Sequence, residues 1–118
     1  MGNVKIWLSV PDGSTFEASA TGTTDNWEIL VDVDSDTGAE TEWSRADLDP
    51  GPATMVVNSP HTYTGRVDIE VAGDPPAAVT FTAKIIRPDG TTHQLPFTIT
   101  TPSAEGSYVA TIAIATEK

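Results

Sequence analysis

Three aspartates at alternate positions are the side chains in this sequence with the clearest potential for chemistry. Asp32, Asp34 and Asp36 are two residues apart, and calcium loops of the EF-hand type take their first oxygen ligands from alternate positions. Such a loop also requires a glycine at its sixth position and a glutamate at its twelfth. Those positions hold Thr37 and Trp43, so the spacing excludes an EF-hand.

The same aspartates also fit the solvent-exposed side of a β-strand. Asp32 and Asp34 alternate with Ile29, Val31 and Val33, and this alternation is typical of a strand with one buried face. Three interpretations therefore stay open: an irregular calcium site, a weak general attraction for cations, and a plain solvated face. Only the first makes calcium a cofactor, and otherwise no cofactor is expected.

The segment after the aspartates is rich in acids and lacks clear periodicity. Nine of the seventeen acidic residues lie between Asp25 and Asp49, where Arg45 is the only base. Residues 35–53 are therefore predicted to form a long loop, with at most a short helical turn in TEWSRADL. Loops of this length in compact domains are often functional.

We expect this loop to carry the main contact residue, Trp43. An exposed tryptophan often contacts a partner or stacks on a sugar ring. Glu40, Glu42 and Arg45 lie beside it in the sequence and complete the predicted contact set in the loop. The alternative is that Trp43 folds back and plugs one end of the core.

The phase of the alternation places further apolar side chains. Trp27 is in phase with the inward face of its strand, whereas Trp7 is out of phase and is predicted to lie outside, beside Lys5. Ile86 is also outward in phase and is a weaker predicted contact residue. Three small outward residues of the last strand are candidates to cover an edge or a neighbouring subunit: Val109, Ala113 and Ala115.

Period-two alternation runs through nearly the whole chain and predicts an all-β fold. About eight short strands indicate two antiparallel sheets packed face to face, a β-sandwich, with a closed β-barrel as the alternative. VPDGST (10–15) and RPDGTT (87–92) are each predicted to close a hairpin, because Pro-Asp-Gly suits successive turn positions. The 118 residues have the size of one domain, 1–118.

Two motifs between residues 78 and 116 carry a family resemblance. A strand ends in Pro-Asp-Gly at 88–90 and is followed by an apolar return strand, and Glu-Gly-Ser-Tyr at 105–108 opens the last strand. This region resembles the end of a bacterial immunoglobulin-like domain of the filamin-like or macroglobulin-like kind. The resemblance implies an immunoglobulin-like sandwich used for adhesion, spacing, or virion and surface assembly.

Charge and residue types limit the partners. A formal net charge of −11 repels phosphate and anionic lipid, so neither nucleic acid nor a membrane is an expected partner. The chain has no cysteine, its two histidines lack metal-ligand spacing, and no nucleophile motif is present. No catalytic residues are therefore predicted. The N-terminus does not resemble a signal peptide, which indicates a cytoplasmic protein or one exported without a cleaved leader.

These features favour a binding protein over an enzyme. The first expectation is a non-enzymatic module for protein–protein or assembly contacts, through a protein partner or self-association, in a virion, secretion or surface assembly. The second is a carbohydrate-binding module or lectin, with calcium assisting. In that version Trp43 stacks on the sugar, while the carboxylates of Asp34, Asp36, Glu40 and Glu42 accept hydrogen bonds from its hydroxyls.

Overall fold

A computed structural model of the chain describes residues 3–58, 60–71, 78–100 and 106–117. Its strands are β1 Asn3–Pro11, β2 Ser14–Gly22, β3 Trp27–Ser35, β4 Glu40–Ser44, β5 Ala53–Val57, β6 Thr62–Val71, β7 Ala78–Ile86, β8 Thr92–Thr100 and β9 Gly106–Glu117. Sheet A has the order β1-β9-β6-β3-β4, and sheet B has the order β5-β2-β7-β8. The all-β sandwich prediction is confirmed, and the two sheets do not close into a barrel.

The acidic segment is not one long loop, so that prediction is wrong. Residues 40–44 form β4, which pairs antiparallel with β3 and places Trp43 opposite Val31. This strand is the one beyond the eight that the alternation predicted. It has only five residues, and its outward positions include Glu40 and Glu42. The side chains of β4 therefore do alternate between two faces, but Trp43 is the only large apolar residue among its five. One apolar residue is too few to reveal the alternation in the sequence.

A short helix, α1 Arg45–Leu48, follows β4 directly and confirms the predicted helical turn. The Asp47 carboxylate accepts hydrogen bonds from the backbone N–H of Ser44 at 2.9 Å and from its hydroxyl at 3.3 Å, which satisfies a donor at the start of the helix. Leu48 is completely buried. Because α1 contacts β2 of one sheet and β3 and β4 of the other, it links the two sheets.

The two Pro-Asp-Gly turns have different outcomes. RPDGTT joins the paired strands β7 and β8 as a hairpin, with the N–H of Arg87 donating to the carbonyl of Thr91 at 2.8 Å. VPDGST does not close a hairpin, because β1 belongs to sheet A and β2 to sheet B. Gly13 and Gly90 both have positive φ, at 85° and 90°. The turn chemistry was therefore right, but it does not determine which strands pair.

The first and last strands pair in parallel, which makes β1 an edge of sheet A. A parallel pair needs a long crossover between its strands, and here nearly the whole domain lies between them. In the described residues β1 has a neighbouring strand on one side only. The sheet A surface that faces away from sheet B is called its outer face below.

The inward residues of both sheets form one core, and the phase predictions for it are confirmed wherever side chains are described. The predicted inward side chains of Val4, Phe97, Ile99 and Tyr108 lie outside the described part. The large, most deeply buried members are Phe16, Phe81, Leu48, Ile69, Ile85, Ile112, Ile114, Val10, Val31, Val33, Val57 and Val67.

Candidate functional site

The outer face of sheet A changes in character from one edge to the other. Strand register places side chains in rows that cross the sheet from β1 to β4. Two neighbouring rows contain Trp7, Ala113, Thr64, Asp34 and Glu40, and then Lys5, Thr111, Arg66, Asp32 and Glu42. The face is thus aromatic and basic at β1 and acidic at β4.

The acidic edge consists of Asp32 and Asp34 on β3 and Glu40 and Glu42 on β4. Antiparallel pairing sets Asp34 opposite Glu40 and Asp32 opposite Glu42. One carboxylate oxygen from each of Asp32, Asp34 and Glu40 lies within 4.8 Å of the others, which is a spacing that could hold a metal ion. Oxygen ligands of this kind suit a hard cation such as calcium.

Asp36 does not join this group, so the predicted set of three aspartates is wrong as a single site. β3 ends at Ser35, and the chain turns before the third aspartate. The Asp36 carboxylate accepts a hydrogen bond from the backbone N–H of Thr62 at 3.0 Å and faces Nδ1 of His61 at 3.1 Å. It therefore ties the β3–β4 turn to the start of β6.

The acidic edge is electrostatically strained. Burial raises the pKa of Asp32, and the charges of Asp34 and Glu42 raise it further. A hydrogen bond shared with Glu42, followed by the charge of Asp32, raises the pKa of Glu40. Oδ1 of Asp32 is buried and has no hydrogen-bond partner among the described residues. The nearest base in register, Arg66, instead pairs with Asp68 at 3.0 Å.

Neutralising Glu40 should therefore stabilise the fold at neutral pH. Because its pKa is raised in the folded state, the associated stability is present below the unfolded value and is lost as the pH rises through the folded value. We expect Glu40→Gln to melt at a higher temperature than the parent protein at pH 7. Thermal unfolding followed by circular dichroism should show the difference shrinking as the pH falls towards about 4.

Asp36→Asn is the matched control and should have the opposite effect. The N–H of Thr62, and then His61, lower the pKa of Asp36. The stability it contributes is present above the unfolded pKa and is lost as the pH falls through the lower folded value. This variant should melt at a lower temperature than the parent at pH 7. Equal shifts in the two variants would contradict the assigned electrostatics.

Trp43 is buried rather than presented to solvent, so the predicted exposed contact residue is wrong. Only 8% of its surface is exposed, and its ring stacks on Phe16 of β2 with centroids 5.9 Å apart. The alternation within β4 points Trp43 towards sheet B, which is the plugging alternative. Its ring is therefore not available for a sugar or a partner.

Arg45, another predicted contact residue, has an internal role. Its guanidinium lies 4.1 Å from the centre of the Trp27 ring. Nη1 donates to the backbone carbonyls of Trp27 at 2.8 Å and Asp25 at 3.1 Å. These contacts fasten the first turn of α1 to the start of β3, and a planar guanidinium suits both stacking and this forked donation.

Trp7 has the position that the alternation predicted. It lies on the outer face of β1 with 63% of its surface exposed, beside Lys5 in the neighbouring row. Its register partner Ala113 on β9 is buried although it is on the outer face, between Trp7 and Thr64 in register. Of the predicted outward row, Ala113 thus lies opposite Trp7, Ala115 opposite Ser9 and Val109 opposite Asn3.

Ile86 is not part of the same surface. It lies half-buried at the end of β7 in sheet B, in register with Thr15 and Thr92. The predicted contact residues are therefore dispersed over two sheets, and only Trp7 is a strongly exposed aromatic residue among them.

Two exposed apolar residues were missed by the sequence reasoning. Leu30 is 41% exposed and Val56 is 52% exposed. Each lies between two inward-pointing residues of its strand and therefore points outward. The same position in the alternation predicted the exposure of Trp7. Leu30, Val109 and Ile29 form the apolar part of a shallow depression of about 560 Å³ on the outer face of sheet A. Its charged rim contains Glu28, Arg66, Asp68 and Glu70.

Comparison with protein-family models, curated proteins and solved structures finds no match for this chain. The structure shows a β-sandwich, and the resemblance to immunoglobulin-like domains stays a prediction. None of the helices in the described residues is long and apolar enough to cross a membrane.

Proposed function

We propose that this protein is a non-enzymatic binding or assembly module that makes protein–protein contacts through the β1 edge of sheet A. The observation that carries the proposal is the exposure of Trp7 on β1, an edge strand that has β9 on one side and no described strand on the other. Large aromatic side chains are enriched where proteins bind one another, because they bury much apolar area with little loss of conformational freedom.

The charge distribution supports the same edge. β1 and β9 together, called the low-charge strip here, contain one base, Lys5, and one acid, Glu117. The rest of the chain carries the other sixteen of its seventeen acids. Charged residues are depleted at the centres of protein interfaces, and the strip is the part of sheet A that fits this description.

Photo-crosslinking at position 7 tests the proposal. Benzoylphenylalanine replaces Trp7 in one variant and the exposed Val56 of sheet B in a control variant. Irradiation in cells that make the protein should give discrete protein adducts from position 7 only. Excess parent protein should compete for these adducts, and excess Trp7→Ala protein should not. Absence of adducts at position 7, or equal adducts at both positions, would refute the proposal.

Calcium-assisted carbohydrate binding at the acidic edge is the second candidate. It is favoured by the three clustered carboxylates and by the buried Oδ1 of Asp32, to which no described residue donates a hydrogen bond. The burial of Trp43 removes its stacking ring, and Trp7 lies three strand spacings from β3, about 14 Å. Melting with millimolar calcium and with chelator tests the ion, since a bound ion raises the melting temperature. An unchanged melting temperature removes this candidate.

A further inference from the structure

The four sheet edges of the described structure differ in how well they resist pairing with another strand. β4 is five residues long and carries two glutamates, β5 is also five residues long, and β8 contains Pro96. Short length, charge and proline are the usual means of blocking an edge. β1 is nine residues long, with a single charge, Lys5, and a proline, Pro11, only at its last position. It is therefore the edge with the weakest protection of the four.

The side chains of β1 also leave apolar surface for a further strand to cover. Ile6 and Leu8 point towards the core yet remain only partly buried, because no strand lies beyond them in the described structure. On the opposite side of the strand Trp7 is largely exposed. Both faces of a strand added at this edge would therefore meet apolar side chains.

Charge limits which edge two copies of the chain could share. Two copies with a net charge of −11 each repel one another over most of their surface. The two strands of the acidic edge, β3 and β4, lie three and four strand spacings from β1, about 14 and 19 Å, and both distances exceed the screening length of about 8 Å at physiological salt. Contact through β1 therefore keeps the two acidic edges farthest apart within the plane of the sheet.

We infer that two copies pair antiparallel through β1, continuing sheet A across a twofold axis beside Trp7. Pairing centred on Trp7 uses the full length of the strand. Residues that lie opposite each other then have side chains on the same face of the sheet, so outward side chains are paired with outward ones. Lys5 then lies opposite Ser9 of the second copy, and Ile6 lies opposite Leu8. A centre at Lys5 would instead juxtapose two like charges, which is destabilising.

The result is a continuous ten-stranded sheet, with five strands from each copy. The two Trp7 rings meet at its centre, where an aromatic cross-strand pair is favourable. This inference rests on the proposed function, because it names a second copy of the chain as the protein that the β1 edge binds.

Sedimentation velocity at increasing concentration is the first test. The parent protein should form a dimer, and higher salt should strengthen it by screening the net charge. Trp7→Ala should weaken dimerisation by at least about tenfold, whereas Val56→Ala, which alters an exposed apolar residue of sheet B, should not. A parent protein that stays monomeric at several hundred micromolar overturns the inference.

Cysteine pairing tests the register, because the chain has no cysteine of its own. Residues directly opposite in an antiparallel pair have Cα atoms about 4.5–5.5 Å apart, within reach of a disulfide. Mixing Lys5→Cys with Ser9→Cys should therefore give a disulfide-linked heterodimer on oxidation. Each variant alone places its two cysteines about 14 Å apart and should not crosslink. Equal crosslinking of the single variants overturns the register.

The experiments distinguish failure of the self-pairing through β1 from failure of the proposed protein contact at β1. If the parent protein is monomeric and position 7 still gives competed adducts with another protein, the self-pairing is refuted and the proposed function stands. If position 7 gives no adduct with any protein, its own copies included, both are refuted. Adducts between two copies of the chain that excess parent protein competes for, and excess Trp7→Ala protein does not, support both.

Discussion

We expect Trp43→Ala to lower the free energy of unfolding by about 3–5 kcal/mol, the usual cost of removing a large aromatic side chain from a core. Trp43 is only 8% exposed, and its ring stacks on Phe16 of the opposite sheet. Its loss leaves a cavity between β4 and sheet B. Since domains of this size have about 5–15 kcal/mol of stability in total, the variant should unfold at a much lower urea concentration.

The matched control applies the same substitution to an exposed tryptophan. Trp7→Ala should change the free energy of unfolding by no more than about 0.5 kcal/mol, when measured at a protein concentration too low for association. Urea unfolding of both variants should be followed by circular dichroism, because the substitutions alter the fluorescence itself. A Trp43→Ala protein with unchanged stability would contradict the core position and reopen a surface role for this residue.

Arg45→Ala should cost about 2–3 kcal/mol, from the sum of a partly buried cation–π contact and charge-assisted hydrogen bonds. The Arg45 side chain is 26% exposed, so solvent screens these interactions only in part. Its ion pair with Asp25 is long, at 3.8 Å, and the Asp25 side chain is fully exposed. The expected loss therefore comes from Trp27 and the two backbone carbonyls rather than from that ion pair.

Two further variants separate the stacking and hydrogen bonds of Arg45 from the effect of its positive charge alone. Arg45→Lys keeps the charge but lacks the planar fork, and should lose more than half of the same free energy. Arg66→Ala removes an arginine whose side chain is 63% exposed in a surface ion pair, and should cost no more than about 1 kcal/mol. If Arg45→Ala lowered the free energy of unfolding as little as Arg66→Ala, the contacts of Arg45 between α1 and β3 would not contribute to stability.

Within the acidic segment, these variants separate the residues that stabilise the fold from those that are exposed and free to bind a ligand. Trp43 and Arg45 hold β4 and α1 in place. The segment that they hold presents Glu40 and Glu42 on the outer face of sheet A, beside Asp32 and Asp34. The proposed protein contact at β1 and the candidate cation site at the acidic edge lie at opposite edges of the same outer face, so each can be tested with the other intact.

Local pattern was sufficient to predict the class of fold and the direction of most side chains. Alternation with a period of two placed Trp7 outside and Trp27 inside, since successive side chains of a strand point to opposite faces whatever the strand pairs with. Pro-Asp-Gly likewise predicted the positive φ of Gly13 and Gly90, because that property belongs to the residues of the turn themselves.

Pairing between distant segments depended on the tertiary structure. The same turn motif joins two paired strands at 87–92 and two different sheets at 10–15, because the neighbour of β1 is β9, far away in sequence. Trp43 is buried because Phe16 of the other sheet lies against it, and Asp36 leaves the aspartate group because Thr62 binds it. Each of these results comes from a contact that no local spacing contains.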